Sequence, residues 1–338
     1  MQIVKRSKVF FTFISIFLLS SFRPLWSIPL PPSHSYGLRI HDYDEKDYDI
    51  LGNPQDDVYV TKWFDFDAGN LNEEIEGEIS LFKNPGPNDF VVPFYYYKAK
   101  QYWDDGRHTP APLVVISPSL QGVTFVDRYI AQQFAENGIN CIIFNPNIEL
   151  KDLSRPLEDV DSYFRLALFS VKMLLDWAEN QHDEIDMTKV GVFGMSLGGM
   201  ISAMALGQDS RLKAGYLVVA GGDLPSVLTH SGSSYLTEYR QLHMEKRKIN
   251  TLEQYEKALR KIITIDPTHV SIQRNPESIY MVMSRTDNVV PYNNQNILWE
   301  ALNQPNYSVN NVFGHILTAV TMTWYAQSIV DHMLINWN

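Results

Sequence analysis

Three residues of the 338 stand where serine-centred acyl chemistry would need them. Ser196 lies in Gly194-Met195-Ser196-Leu197-Gly198, a GxSxG pattern extended by Gly199. Asp287 follows in Ser284-Arg285-Thr286-Asp287-Asn288-Val289-Val290-Pro291, and His315 in Phe313-Gly314-His315. A neutral serine hydroxyl is a poor nucleophile. A histidine at 315 would take its proton and return it to the leaving group, while a carboxylate at 287 would orient the imidazole and stabilise its charged form. The glycines have a physical reason. A serine on a tight turn from strand to helix takes a strained backbone, and side chains two positions either side would collide with neighbouring backbone. The five-residue pattern is weak alone. It gains weight from the apolar run before it at 189–193 and the helical pattern after it, through 204.

The elements that must position these residues are legible as alternating short apolar runs and helical patterns. Runs at 113–117, 140–144, 189–193, 217–220, 279–283 and 307–312 read as strands. Between them lie helical patterns at 125–137, closed by Gly138, and at 157–179, where apolar residues recur every three or four positions. A last helical stretch covers 317–335. Such alternation predicts an α/β fold, a mostly parallel sheet with helices on both faces and chemistry at the carboxyl ends of the strands. Upstream, period-two stretches at 58–66, 76–82 and 91–98 predict antiparallel N-terminal strands within 36–108, joined by turns such as Asn84-Pro85-Gly86-Pro87. The run Phe94-Tyr95-Tyr96-Tyr97 reads either as a carbohydrate platform or, more commonly for such strands, as core. Nearly sixty residues separate the strands ending at Ala220 and starting at Ile279, more than one crossover helix requires. The excess at 222–277 reads as a small helical cap, with helices at 235–248 and 252–263, Thr251 as an N-cap and Asp266-Pro267 as the stop.

On these motifs, residues 110–335 resemble the α/β-hydrolase superfamily. Residues 189–199 together with Asp287-Asn288-Val289-Val290-Pro291 are similar to its dienelactone-hydrolase and prolyl-oligopeptidase-like branches. The resemblance implies a triad in the chain order Ser196, Asp287, His315, with the acid in the loop after its strand and the base before the final helix. Asp223, in Ala220-Gly221-Gly222-Asp223, is the competing acid, since some relatives use the earlier strand. His315 is preferred among nine histidines because the others precede the main repeat or the elbow strand, lie in the cap, or sit deep in the last helix. The resemblance also implies an oxyanion hole of two backbone N–H groups. One comes from Leu197; the other comes from the loop Ser117-Pro118-Ser119-Leu120-Gln121-Gly122, where many relatives show His-Gly. Ser119 matches the loop donor by position, Leu120 is the runner-up, and Pro118 has no N–H. Caps of this superfamily sit over the serine, which nominates Tyr235, Tyr239, Leu242 and His243 as substrate contacts; the alternative is a solvated helical hairpin. The basic residues Lys246, Arg247, Lys248, Arg260 and Lys261 read as attraction for an acidic substrate or as solvated helix faces.

The chain opens with an address. Lys5, Arg6 and Lys8 precede an apolar run at 9–22, about fourteen residues by count and short of the roughly twenty that span a membrane. Residues 1–27 are expected to be a cleaved export signal, giving a periplasmic or secreted protein with no stable membrane insertion; the alternative retains them as an anchor. Residues 28–338 are then one α/β-hydrolase domain. Lys+Arg number 28 against Asp+Glu 39, a net charge of −11, with no basic stripe, so nucleic acid is not an expected partner. The single cysteine, Cys141, excludes an internal disulfide and a cysteine-built zinc site. No metal or organic cofactor is implied, since no ligand cluster or phosphate loop is present in the motifs. The reading is therefore a serine hydrolase that cleaves a small-molecule carboxylic ester through an acyl-enzyme. The alternatives are a small exported serine peptidase and a hydrolase-shaped binding protein without catalysis. Peptidases of the similar branch usually carry a large propeller ahead of the hydrolase domain, for which the residues before Leu113 are too few.

Overall fold

Strands that bury both faces read as nearly continuous apolar runs, and four segments of this chain carry such a run. The computed structural model describes residues 59–65, 74–80, 91–100, 109–145, 155–181, 184–269 and 275–337. Within them β4 (Ala111–Ser117), β5 (Asn140–Phe144), β6 (Ile185–Met195) and β7 (Leu212–Val218) form the middle of one sheet, nearly every residue of their inner stretches buried. Before them come β1 (Tyr59–Asp65), β2 (Glu74–Ser80) and β3 (Val91–Tyr97); after them come β8 (Ile279–Ser284) and β9 (Asn306–Asn310). The nine strands lie in the order β1-β2-β3-β5-β4-β6-β7-β8-β9. Pairing is antiparallel through β1, β2, β3 and β5, and parallel from β5 through β4 to β9. This is the mixed, mostly parallel sheet of an α/β-hydrolase fold. The expected signal segment 1–27 and the turn at 84–87 lie outside the described residues.

Helices cover the sheet by apolar stripes. α1 (Phe125–Glu136) starts with a capping box between Thr124 and Asp127 and gives way to Gly138 at φ +78°, a conformation glycine adopts without penalty. Its inner face, with Val126, Ile130 and Phe134, joins Val114, Ile116, Phe193, Ile329 and Val330 in one core cluster. α2 (Asp159–Glu179) packs on the other side of the chain's aromatic strand: Trp177 lies 5.4 Å from Phe94 and 5.6 Å from Tyr96 between ring centroids. The aromatic run of β3 is thus strand core, with the half-buried Tyr95 lying under the Arg128 guanidinium at 4.2 Å.

Three departures from the expected elements have local causes. β7 runs over Leu212–Val218 rather than 217–220, because its apolar alternation continues back past exposed Lys213 and Val219 ends it at φ +44°. The expected helix at 317–335 is divided into α8 (His315–Thr321), a 3₁₀ turn (Met322–Tyr325) and α9 (Ala326–Ile335). Around the break, Thr321 and Thr323 donate their hydroxyls to the carbonyls of Thr318 and Val320, local bonds that compete with the helical ladder. Between β7 and β8 the chain forms three helices instead of two: α4 (Leu224–His230), α5 (Ser234–Lys246) and α6 (Leu252–Ile262). Another helix, α7 (Tyr292–Ala301), follows the segment containing Asp287; its Asn-rich start carries little helix propensity.

Candidate active site

Ser196 sits at the turn from β6 into the helix α3 (Leu197–Gln208), at φ +56° and ψ −122°. For a residue with a side chain this is a strained region, costing on the order of 1–3 kcal/mol and retained where the surroundings enforce it. The surroundings do so through close backbone packing. A Cβ on Gly194 would lie 2.3 Å from the Gly198 carbonyl oxygen, and one on Gly198 would lie 2.0 Å from the Ser117 oxygen and 2.7 Å from that of Pro118. A Cβ on Gly199 would meet Ala220 at 2.7 Å. The three glycines therefore let the first turn of α3 press against β6, the loop after β4 and the end of β7 together. Ser196 N–H donates to Val218 O at 2.8 Å, tying the elbow to β7.

The loop after β4 closes on itself. Gly122, at φ +84°, donates to Ser119 O at 2.9 Å, and Gln121 N–H to Ser119 Oγ at 3.3 Å. Contact of Gly198 with the Ser117 and Pro118 carbonyls sets this loop directly against the N-terminus of α3. Leu197 is the first residue of that helix, where backbone N–H groups have no partner within the helix.

Asp287 lies in the turn between β8 and α7 with its side chain fully buried. Its Oδ1 accepts from Val289 N–H at 2.8 Å and Val290 N–H at 2.9 Å; its Oδ2 accepts from the Gln295 side-chain amide at 3.1 Å and from His315 Nδ1 at 2.6 Å. Because a carboxylate only accepts, the His315 proton resides on Nδ1 and the Nε2 lone pair is left to face outward from the pair. The base loop is also held by polar groups, of which Ser284 and Thr318 are buried. Asn310 Oδ1 accepts from Val312 and Phe313 N–H, and Phe313 O accepts from Ser284 Oγ at 2.6 Å and Thr318 Oγ1 at 3.0 Å. Asp287 and His315 are thus brought together. Ser196 makes no hydrogen bond to His315 among the described residues, as is common for such pairs without substrate.

The competing acid is placed elsewhere. Asp223 caps α4 at φ +58°, accepts from Ser226 N–H at 3.4 Å and pairs with Arg260 of α6 at 2.8 Å. In the cap, Tyr239 and His243 are buried rather than displayed: their rings lie 4.3 Å apart, and Tyr239 Oη donates to Pro156 O at 3.4 Å. Burial, with Lys246 and Arg247 nearby, holds His243 below the usual histidine range. Two of the five cap cations are taken up internally, Arg247 by Glu158 at 2.7 Å and Arg260 by Asp223 and Glu256. The groups that sequence reasoning missed are Gln295, Ser284, Asn310 and Thr318. The signal for Gln295 was weak: a polar residue on the inward face of a helix that its own sequence did not announce.

Residues 171–316 match the Prolyl oligopeptidase family. No curated protein matches the sequence. Among solved structures, the acetyl xylan esterase of a Paenibacillus species is similar at a TM-score of 0.62 and 15% identity, covering 86% of this chain and 98% of that one. Acetyl xylan esterase 1 of a Thermoanaerobacterium species gives 0.62 and 16%, covering 92% and 95%. The acylaminoacyl peptidase of Pyrococcus horikoshii gives 0.52 and 14% over 82% of this chain, which spans 42% of that peptidase. Strand order and elbow converge with these likenesses: the chain has an α/β-hydrolase fold, and its residues 171–316 are similar to the Prolyl oligopeptidase family.

Proposed function

We propose that this chain is a serine hydrolase that cleaves a small-molecule carboxylic ester. The observation that carries the reading is the 2.6 Å bond from His315 Nδ1 to a buried Asp287, in a sheet whose β6 ends in a strained serine elbow. In the first half-reaction Ser196 Oγ attacks the carbonyl carbon while its proton passes to His315 Nε2. The oxyanion that forms takes hydrogen bonds from the N–H groups of Leu197 and Ser119. Collapse breaks the ester C–O bond, and His315 returns the proton to the departing alcohol, leaving an acyl group on Ser196. Water then repeats the sequence with the roles of the oxygens exchanged, releasing the acid and restoring Ser196. Asp287 accepts throughout from Nδ1–H and stabilises the transient imidazolium.

An ester is favoured over a peptide because the two acetyl xylan esterases are matched over nearly their whole length and the peptidase over less than half of its own. The match to the Prolyl oligopeptidase family supports a peptidase as the second reading. Export, proposed on the basic cluster and apolar run at 5–22, suits a hydrolase of external esters. The test uses the purified full chain with p-nitrophenyl esters from acetate to palmitate, aminoacyl p-nitroanilides and a fluorophosphonate label, beside Ser196→Ala. Ester turnover and labelling that both vanish in Ser196→Ala are expected. Turnover of the anilides alone would select the peptidase, and a folded parent that neither labels nor turns over would remove the catalytic reading.

A further inference from the structure

We infer that Gln295 is a positioning residue for the proposed reaction, holding Asp287 Oδ2 in register with His315. The inference rests on the hydrolase reading but is separable from it. Gln295 is fully buried on the first turn of α7 and makes three hydrogen bonds through one amide. Its Oε1 accepts from Ser284 N–H at 2.9 Å, and its Nε2 donates to Val290 O at 2.7 Å and to Asp287 Oδ2 at 3.1 Å. The orientation of the amide is dictated by chemistry. A backbone N–H only donates and a backbone carbonyl only accepts, so oxygen must face Ser284 and nitrogen must face Val290. Once that is settled, the second Nε2 hydrogen points at the one atom of Asp287 that also receives the proton of His315.

The consequence is mechanical and electrostatic together. Ser284 is the last residue of β8, Val290 lies in the acid's own turn, and Gln295 stands on the first turn of α7; the amide ties all three to the carboxylate it supports. Among the described residues, every hydrogen-bond partner of the Asp287 carboxylate other than His315 is an N–H that can only donate: Val289, Val290 and Gln295. Such a shell accepts no rotation of the carboxylate that would carry Oδ2 away from His315, and it selects the Nδ1–H tautomer of the imidazole. Two backbone donors alone would hold Oδ1 and leave Oδ2 free to swing about it. Gln295 supplies the second anchor. A neighbouring amide offers the contrast. Asn294 is equally buried and bonds Gly222 O at 3.0 Å and Asp223 O at 3.4 Å, joining α7 to the segment after β7 without touching Asp287.

Gln295→Glu keeps the shape and the acceptor for Ser284 but turns an oxygen toward Asp287; Gln295→Met removes every bond at similar volume. Asn294→Ala serves as the comparison that loosens α7 from the segment after β7 without removing a bond to Asp287. With p-nitrophenyl acetate and active sites counted by the fluorophosphonate, kcat per labelled site is expected to fall roughly tenfold to a hundredfold in both Gln295 variants. KM stays within about twofold, as for a residue that acts on the transition state. Asn294→Ala is expected to lower thermal stability and leave kcat per labelled site near that of the parent. Proton NMR gives a second readout without mutation. On phosphonylation of Ser196 in the parent, the Nδ1–H resonance of His315 and the Nε2–H resonances of Gln295 should shift together, since both donate to Oδ2. Gln295 variants that keep kcat per labelled site, or Gln295 resonances indifferent to phosphonylation, would overturn the inference. A parent that fails to label would instead overturn the hydrolase reading.

Discussion

Gly198→Ala places one methyl group between the elbow and the loop after β4, and its effect can be worked from distances. The new Cβ would stand 2.0 Å from Ser117 O, about 1.4 Å short of the 3.4 Å at which ordinary contact begins. Pro118 O, at 2.7 Å, closes the other exit. Both obstacles are backbone, so no side chain can rotate away and the gap must come from moving the loop or the first turn of α3. A movement of that size lengthens a hydrogen bond of about 2.9 Å beyond the 3.2 Å limit of a good N–H···O contact. If Ser119 or Leu120 supplies an oxyanion donor, kcat should drop about 10²- to 10³-fold. Stability should change less, because overpacking costs about 1–3 kcal/mol and alanine recovers about 1 kcal/mol of helix propensity. The assay is p-nitrophenyl acetate hydrolysis normalised to fluorophosphonate-reactive sites, with a thermal melt of the same sample. Gly199→Ala is the control. Its methyl would press on Ala220 at 2.7 Å, away from the β4 loop, so it should lower stability while sparing most of kcat. A folded Gly198→Ala with kcat within about threefold of the parent would refute the assignment of the donor to this loop.

Asp127 titrates in a way that stability measurements can read. Burial lifts its carboxyl from 3.8 to about 6 against the opposing bonds from Thr124 and the charge of Arg128. Between those values the folded chain holds a proton that the unfolded chain has released, so the contribution of Asp127 to stability is fully present below pH 3.8 and is lost as pH rises through about 6, by roughly 3 kcal/mol in all. Denaturant melts at pH 4, 5.5 and 7.5 should show that fall in the parent relative to Asp127→Asn, and parallel curves would contradict it. Trp177→Ala should cost about 4 kcal/mol, as its ring supports both Phe94 and Tyr96; a loss below 1 kcal/mol would mean the β3 face repacks. Arg211→Met strands Asp176, Asp209 and Glu179, which its guanidinium joins at 2.7, 2.6 and 2.9 Å, and should cost about 2 kcal/mol, less than a fully buried pair. A melt unchanged from the parent would show that cluster to add nothing to stability.

What could be read before the coordinates was what local chemistry encodes. Apolar runs announced β4, β5, β6 and β8 because strands covered on both faces have no polar side to mislead, and the spacing of Gly194 and Gly198 announced the elbow because backbone approach leaves no other residue possible. The choice between Asp287 and Asp223 was not readable in that way. Both follow strands and both open turns; what separates them is that Arg260, 37 residues further on, engages Asp223 while His315 engages Asp287. Long-range pairing leaves no mark in composition. The same holds for Gln295, whose helix begins Tyr292-Asn293-Asn294 and whose partners lie eleven, eight and five residues back. The break in the final helical stretch was missed because threonine hydroxyls compete with the backbone only when the chain has somewhere else to go.

The parallel half of the sheet has a consequence for time rather than for structure. Ser119, Ser196, Asp287 and His315 follow the carboxyl ends of β4, β6, β8 and β9, and successive strands of that half are connected through helices rather than by hairpins. Gly215 pairs with Ile279 only after the chain between them has been set aside as α4, α5 and α6. Contacts that distant in sequence form slowly, and chains of this length pass through partly folded species. Helical signal should therefore return first on refolding and the proposed hydrolytic activity last, so recovery of turnover would time the closing step of assembly.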